Sequence, residues 1–256
     1  MQVLPSPPAV QDRVVVVTGA SRGLGRVIAT DLVGSAAVLL LVDLDAGPLE
    51  DLTRTLGRGT TQVTAHVADL TDPAAVAEVV ARADELGGAS VLVNNAGIVE
   101  YKDFFATTPA LLRRLLTVDV ESVYLLTQQF AASLRRRGVG GAVVNLGTGH
   151  ALTGVTGTSA YAAAKGAVHA LTRALAVELA PLGIRVNTLA LGTTMTERVR
   201  TELPAELLAQ RLRQIPLRRG AEPQEAAAAV RFLIESEYAT GTELVLDGGF
   251  TAYGDG

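Results

Sequence analysis

The chain has 256 residues, a formal net charge of -4, and 48% hydrophobic against 19% charged residues. That supplies one large α/β domain and leaves no second core of ordinary size. No block of like charge forms a basic footprint for nucleic acid or an anionic membrane. The absence of cysteine excludes disulfides, thiolate metal sites and cysteine nucleophiles, and His66, His150 and His169 are too scattered for a metal site.

In chain order, residues 1–11 read as a short Pro-rich flexible lead-in without signal-peptide blocks, and a cytoplasmic protein is expected. Short β-branched runs then alternate with helical patterns. Strands are expected at 14–18, 37–43, 61–67, 90–94, 141–147, 184–190 and 243–248. Helices are expected at about 24–33, 46–56, 73–86, 109–137, 159–180 and 223–235, with Arg135, Arg136 and Arg137 as the cationic last turn of the long one before Gly138. The pattern predicts a single-domain, Rossmann-like, doubly wound α/β fold over residues 12–256, its seven-stranded parallel sheet covered by helices on both faces. The segment 193–222, helical around Pro204, reads as a lid over the ligand edge.

After the first strand come Gly19, Gly23 and Gly25 and then a helix. Small residues there allow a tight turn and let a pyrophosphate approach the helix N-terminus, although the spacing is not the G-x-G-x-x-G fingerprint. The second strand ends at Asp43, which either hydrogen-bonds an adenosine ribose 2′-OH and repels a 2′-phosphate, or caps the following helix. Arg22 argues for a 2′-phosphate; Leu44, standing where a basic residue would serve NADP, argues against it. NAD(H) is favoured, with NADP(H) possible.

Tyr161 and Lys165 stand four apart and share one helix face. A lysine cation beside a tyrosine favours the phenolate and so lowers its pKa, fitting the pair for proton exchange with an alcohol or carbonyl. The pocket lining is expected from 99–105, including Tyr101, from 149–158, and from the lid. His150 reads either as a pocket imidazole or as a loop histidine.

In order and register, TGASRGLG, the Asp43 strand end, Ala68-Asp69, Asn94-Asn95-Ala96-Gly97, Tyr161 to Lys165, Ile184 to Asn187 and Leu246 to Gly249 resemble the short-chain dehydrogenase/reductase family over residues 12–250. The resemblance implies hydride transfer between a nicotinamide cofactor and a secondary alcohol or ketone, with Tyr161 as acid/base and Lys165 also binding the nicotinamide ribose. It further implies that Gly19, Ser21, Arg22, Gly23, Leu24, Gly25, Asp43 and Leu44 hold the cofactor at the first two strands. Asp69, beside Leu70, touches the adenine, and Asn94 to Gly97 line the cofactor. Gly192, Thr194 and Thr196 approach the carboxamide end. Relatives are often tetramers pairing the long helix and the Tyr161 helix, so a homotetramer or homodimer is expected, with a small alcohol or ketone as the other partner.

Three positions depart from the family pattern. Thr148 stands for the usual Ser, keeping the hydroxyl while adding a methyl that stiffens χ1. Asp119 stands for the usual Asn and either supports a relay to Lys165 or is an uninvolved polar residue on a solvated face. Leu191 stands for the usual Pro, so a looser turn after it is expected. These departures leave two alternatives: a member repurposed for proton transfer, cyclisation or dehydration, and a non-catalytic nucleotide-binding subunit.

Overall fold

The computed structural model describes residues 13–252; the expected lead-in and the last residues of the C-terminal segment lie outside them. Seven parallel strands form one sheet in the order β3-β2-β1-β4-β5-β6-β7. They are β1 (Val14–Thr18), β2 (Val38–Asp43), β3 (Gln62–Val67), β4 (Ala89–Asn94), β5 (Gly141–Thr148), β6 (Ile184–Leu191) and β7 (Glu243–Leu246). The order reverses between β1 and β4, and at such a switch point the diverging connections open a crevice beyond the carboxyl ends of the strands.

The near-continuous apolar runs of the central strands follow from burial on both faces. Val15 and Val17 point to one side, where Ile28 and Leu32 of α1 (Gly23–Leu32), Leu49 and Leu52 of α2 (Ala46–Leu56), and Val230 and Ile234 of α9 (Pro223–Glu235) cover them. Val14 and Val16 point to the other, against Val76 and Val79 of α3 (Pro73–Glu85) and Leu126 and Phe130 of α5 (Ser122–Arg137). Ala176 of α6 (Ser159–Leu179) completes that layer. Each such buried side chain contributes about 1.5–3 kcal/mol relative to exposure.

The long helix expected at 109–137 is interrupted. It runs as α4 (Pro109–Leu116), a π turn (Thr117–Glu121) and α5. The π turn closes its hydrogen bonds one residue late, and the added residue swings Asp119 into the interior. Ser122 Oγ donates back to Val118 O at 2.6 Å, satisfying a carbonyl on this turn. The arginine-rich end is as expected, with Gly138 as a left-handed cap at φ 68°.

The segment 193–222 holds two short helices, α7 (Glu197–Glu202) and α8 (Ala205–Gln214), neither with a buried residue. After Leu191, where a looser turn is expected, the backbone is hydrogen-bonded to its neighbours. Without a proline, β6 runs through Leu191, paired with Thr148 and Leu246. Gly192 N–H then donates to Leu246 O at 2.9 Å, and Met195 N–H to Ala221 O at 2.8 Å. β7 stops two residues short of the expected 248, because Asp247 turns to accept from Gly249 and Thr251 N–H. No helix among the described residues is long and apolar enough to cross a membrane.

Candidate active site

At the carboxyl end of β1 the glycine turn is held from β4. Asn95 Nδ2 donates to Thr18 O and Gly19 O, both at 2.9 Å, and Thr18 Oγ1 accepts from Asn95 and Ala96 N–H. Gly19 takes φ 62°, and a Cβ there would come 2.8 Å from Ala96 Cα; one on Gly25 would come 2.0 Å from Gly19 O. Only glycines allow this approach of strand, turn and helix. The N-cap of α1, Arg22, makes no side-chain capping bond, and Ser21 Oγ is buried without a protein partner among the described residues. Uncapped N–H groups beside an unpaired hydroxyl suit the pyrophosphate of a dinucleotide.

Asp43 does not cap α2; that position belongs to Asp45. Asp43 Oδ2 accepts from Ser21 N–H at 2.9 Å and its Oδ1 from Asp45 N–H at 3.2 Å, joining the end of β2 to the glycine turn. Arg22 pairs with Asp45, a residue the sequence reading passed over although it stands two positions beyond Asp43. Leu44 is exposed beside them. At the end of β3, Asp69 accepts from Thr71 N–H and Oγ, bonds that hold its carboxyl below the usual range, with half-buried Leu70 next to it. Asn94 does not line the cofactor side as expected. It is buried, donating to Asn145 Oδ1 at 2.8 Å and Thr127 Oγ1 at 3.1 Å.

A cleft of about 610 Å³ runs from Leu24 and Asn95 past Gly97 to Tyr161 and Lys165, and on to α7 and α8. Thr148 enters it from the end of β5, Gly192, Thr194 and Thr196 from beyond β6, and Tyr101 and His150 from the loops above. The catalytic, carboxamide-end and substrate-side residues singled out in the sequence therefore share one cavity, apart from Asp119. The glycine turn, Asp43 and Asp69 continue the same edge of the sheet along β1, β2 and β3.

Asp119 is fully buried behind Lys165, so it is not a residue of a solvated face. Its Oδ1 lies 3.2 Å from Lys165 Nζ and accepts from Ile98 N–H at 3.1 Å. Burial raises its carboxyl pKa, and the lysine charge opposes that rise. Lys165 Nζ also donates to Leu146 O at 3.2 Å. A Cβ on Gly97 would stand 2.3 Å from Asp119 Oδ1, so glycine makes room for this pair.

Tyr161 is almost entirely buried, edge-on to Tyr101 with ring centroids 5.9 Å apart. The lowered pKa expected from Lys165 is not what this environment produces. Burial first, then Tyr101 and the Asp119 charge, hold the phenol above its ordinary value, and a hydrogen bond with the Thr148 side chain opposes them. The physical reason is first the loss of solvent around a phenol held in the interior, which disfavours its anion, with the nearby Asp119 carboxylate adding to it.

Thr148 is fixed from behind by His169, to which the sequence assigned no role. His169 Nε2 accepts the Thr148 N–H at 3.3 Å, and its Nδ1 lies 3.2 Å from Glu243 Oε2. That pattern assigns the proton to Nδ1, donated to the carboxylate. Glu243 also pairs with Arg173. His150 is a pocket residue rather than a surface one, its ring centroid 5.7 Å from that of Tyr101 and its pKa lowered by burial and by Arg211.

The family model described as enoyl-(acyl carrier protein) reductase matches residues 19–251. Galactitol 2-dehydrogenase (L-tagatose-forming) of Cereibacter sphaeroides is 40% identical, covering 93% of this chain and 94% of the relative. Cyclopentanol dehydrogenase of a Comamonas species is 35% identical, covering 95% and 98%. The crystal structure of a short-chain type dehydrogenase/reductase from Mycobacterium marinum superposes with a TM-score of 0.89 at 30% identity, covering 96% of this chain and 98% of that one. With the switch-point crevice, the glycine turn and the paired Tyr161 and Lys165 all present, the chain belongs to the short-chain dehydrogenase/reductase family.

Proposed function

We propose that the protein is an NAD-preferring dehydrogenase of secondary alcohols, working reversibly on the ketones, with Tyr161 as the proton-exchanging group. The observation that carries this is the single cleft in which Tyr161, Thr148 and Lys165 converge beside the glycine turn. The bound nicotinamide would supply the hydride acceptor or donor. The chain's own residues handle the proton and the orientation. Tyr161 takes the hydroxyl proton in oxidation and returns it in reduction, Thr148 hydrogen-bonds the same substrate oxygen, and Lys165, held by Asp119 and Leu146 O, orients the ribose. Because burial keeps the phenol protonated, oxidation is expected to rise with pH through the neutral range and into the alkaline one. Reduction, which uses the protonated phenol, is expected to be fastest below that rise; initial rates in both directions across pH check the sign.

The NAD preference rests on two carboxylates. Asp43 is anchored to Ser21 at the end of β2, and Asp45 neutralises Arg22, the cation that would otherwise meet a 2′-phosphate. Titration with NADH and NADPH should show tighter NADH binding. Asp45→Ala, by freeing Arg22, should shift the ratio toward NADPH by about two- to fivefold, the scale of an exposed ion pair. Tighter binding of NADPH by the unmodified protein would overturn this preference. Turnover is read at the reduced-nicotinamide absorbance with cyclopentanol and galactitol, the alcohols named for two relatives.

In the same reading, 193–222 is the substrate lid and the protein is a cytoplasmic homotetramer. Two separate surfaces support the assembly. One is a depression of about 560 Å³ between α5 and α6, flanked by exposed Tyr124; the other is the face of α9 and β7 that exposes Phe232 and Val245. Two distinct patches that each paired with their own copy would give a dihedral tetramer, where one would give a dimer.

A further inference from the structure

Helix α8 has an exposed outer side and turns Ile215, just past its end, into the protein. One turn before Ile215, at a half-buried position of the same amphipathic pattern, stands Arg211. Its guanidinium carbon lies 5.3 Å from the centre of the Tyr101 ring and it lines the active-site cleft. A guanidinium over a ring uses its face and leaves its five N–H donors directed outward along the edge. Among the described residues Arg211 has no carboxylate within ion-pair distance and no hydrogen-bond acceptor. The other arginine of the cleft, Arg198 of α7, already donates to Glu202 at 3.0 Å.

Of the two carboxylates that line the cleft, Glu202 is taken by Arg198, and the charges that act on Tyr101 and His150 are cationic. Tyr101 experiences Arg211 and Arg198, and His150 experiences Arg211, with no acidic side chain acting on either. Glu100 also lines the cleft but forms no ion pair with Arg211. Tyr101 thus touches both chemical groups, with Tyr161 edge-on at 5.9 Å and Arg211 over the ring at 5.3 Å.

We infer that the substrate carries, beside the hydroxyl or carbonyl that meets Tyr161, an ionised acidic group, a carboxylate or sulfonate, that docks on the Arg211 guanidinium. This rests on the dehydrogenase reading of the same cleft. A single aromatic ring in contact with both groups sets the spacing, about three to six bonds from the reacting carbon to the acid. Arg211 suits the role because its planar fork meets a carboxylate with two parallel hydrogen bonds, and its place on the lid makes docking and closure one event.

The test uses the full chain with NAD+ and three hydroxy acids, 4-hydroxypentanoate, 5-hydroxyhexanoate and 6-hydroxyheptanoate. Each is paired with its neutral primary amide, and the sulfonate analogue of the best acid distinguishes the two acidic groups. The expected result is a kcat/KM at least about tenfold higher for the best acid than for its amide, expressed mainly in KM. Arg211→Gln should bring that ratio close to one, and Arg211→Lys should restore part of it. Equal kcat/KM for acid and amide throughout, or a ratio that survives Arg211→Gln, overturns the inference. If no alcohol in the series and no cyclopentanol is oxidised, it is the dehydrogenase reading that fails. Calorimetric titration with 4-oxopentanoate then decides the acid site: binding by the unmodified protein that is lost in Arg211→Gln supports it, and equal heats in both contradict it.

Discussion

Asp119 places a carboxylate 3.2 Å from the lysine that would otherwise favour the Tyr161 phenolate, and its charge is among the causes that raise the phenol. Asp119→Asn removes that negative charge while keeping an oxygen to accept the Ile98 N–H. A nearby negative charge disfavours an anion, so removing it lowers the Tyr161 pKa. The rise of kcat/KM for alcohol oxidation should therefore move to lower pH. A pH profile of the variant checks this, and a profile that stays in place or moves upward would show that Asp119 does not act on the phenol. The sequence made Asp119 visible as a departure but left its place undecided. Whether position 119 faces solvent or Lys165 depends on a π turn, and no propensity or periodicity marks one closing residue in a helix of ordinary composition.

Among the elements, β5 is buried throughout, carries Thr148 and is backed by His169. A Cβ on Gly147 would come 2.3 Å from His169 Nε2 and 2.6 Å from Thr188 Cγ2, with both neighbours buried. Gly147→Ala should cost about 1–3 kcal/mol, seen as a lower midpoint in urea unfolding, and should displace the Thr148 backbone from its histidine acceptor. An unchanged midpoint would mean that this layer yields more easily than its packing indicates. The strands of the central sheet were legible because burial on both faces makes their apolar runs nearly continuous, and the glycine turn because no other residue fits its approach. The His169 to Glu243 pairing was not legible, since it joins residues 74 apart through the return of β7 beside β6. The Ile184 to Asn187 stretch likewise owes its pattern to packing. Arg185 donates to Leu233 O and Ile234 O at the end of α9, and Asn187 Nδ2 to Ala239 O, so these side chains pin the connection into β7 rather than meeting a ligand.

At the scale of the molecule, the two exposed apolar faces lie on different elements, α5 with α6 and α9 with β7. Light scattering of the purified protein should give four times the 26.5 kDa chain mass. Tyr124→Arg, which puts a charge on the first face, should reduce the assembly to dimers. A monomer in the unmodified protein would contradict the assembly argument. Cleft and sheet edge otherwise belong to one chain, and in the proposed function the chemistry converges on the Tyr161 hydroxyl. The most direct measurement compares Tyr161→Phe with the unmodified protein, reading NADH binding by titration and NAD+ reduction with cyclopentanol in the same preparation. The phenyl ring preserves the buried packing but cannot exchange the proton. NADH affinity should therefore stay near the unmodified value while turnover falls by about 10²–10⁴-fold. A variant that binds NADH and keeps its turnover would contradict the assignment of Tyr161 as the acid and base of this enzyme.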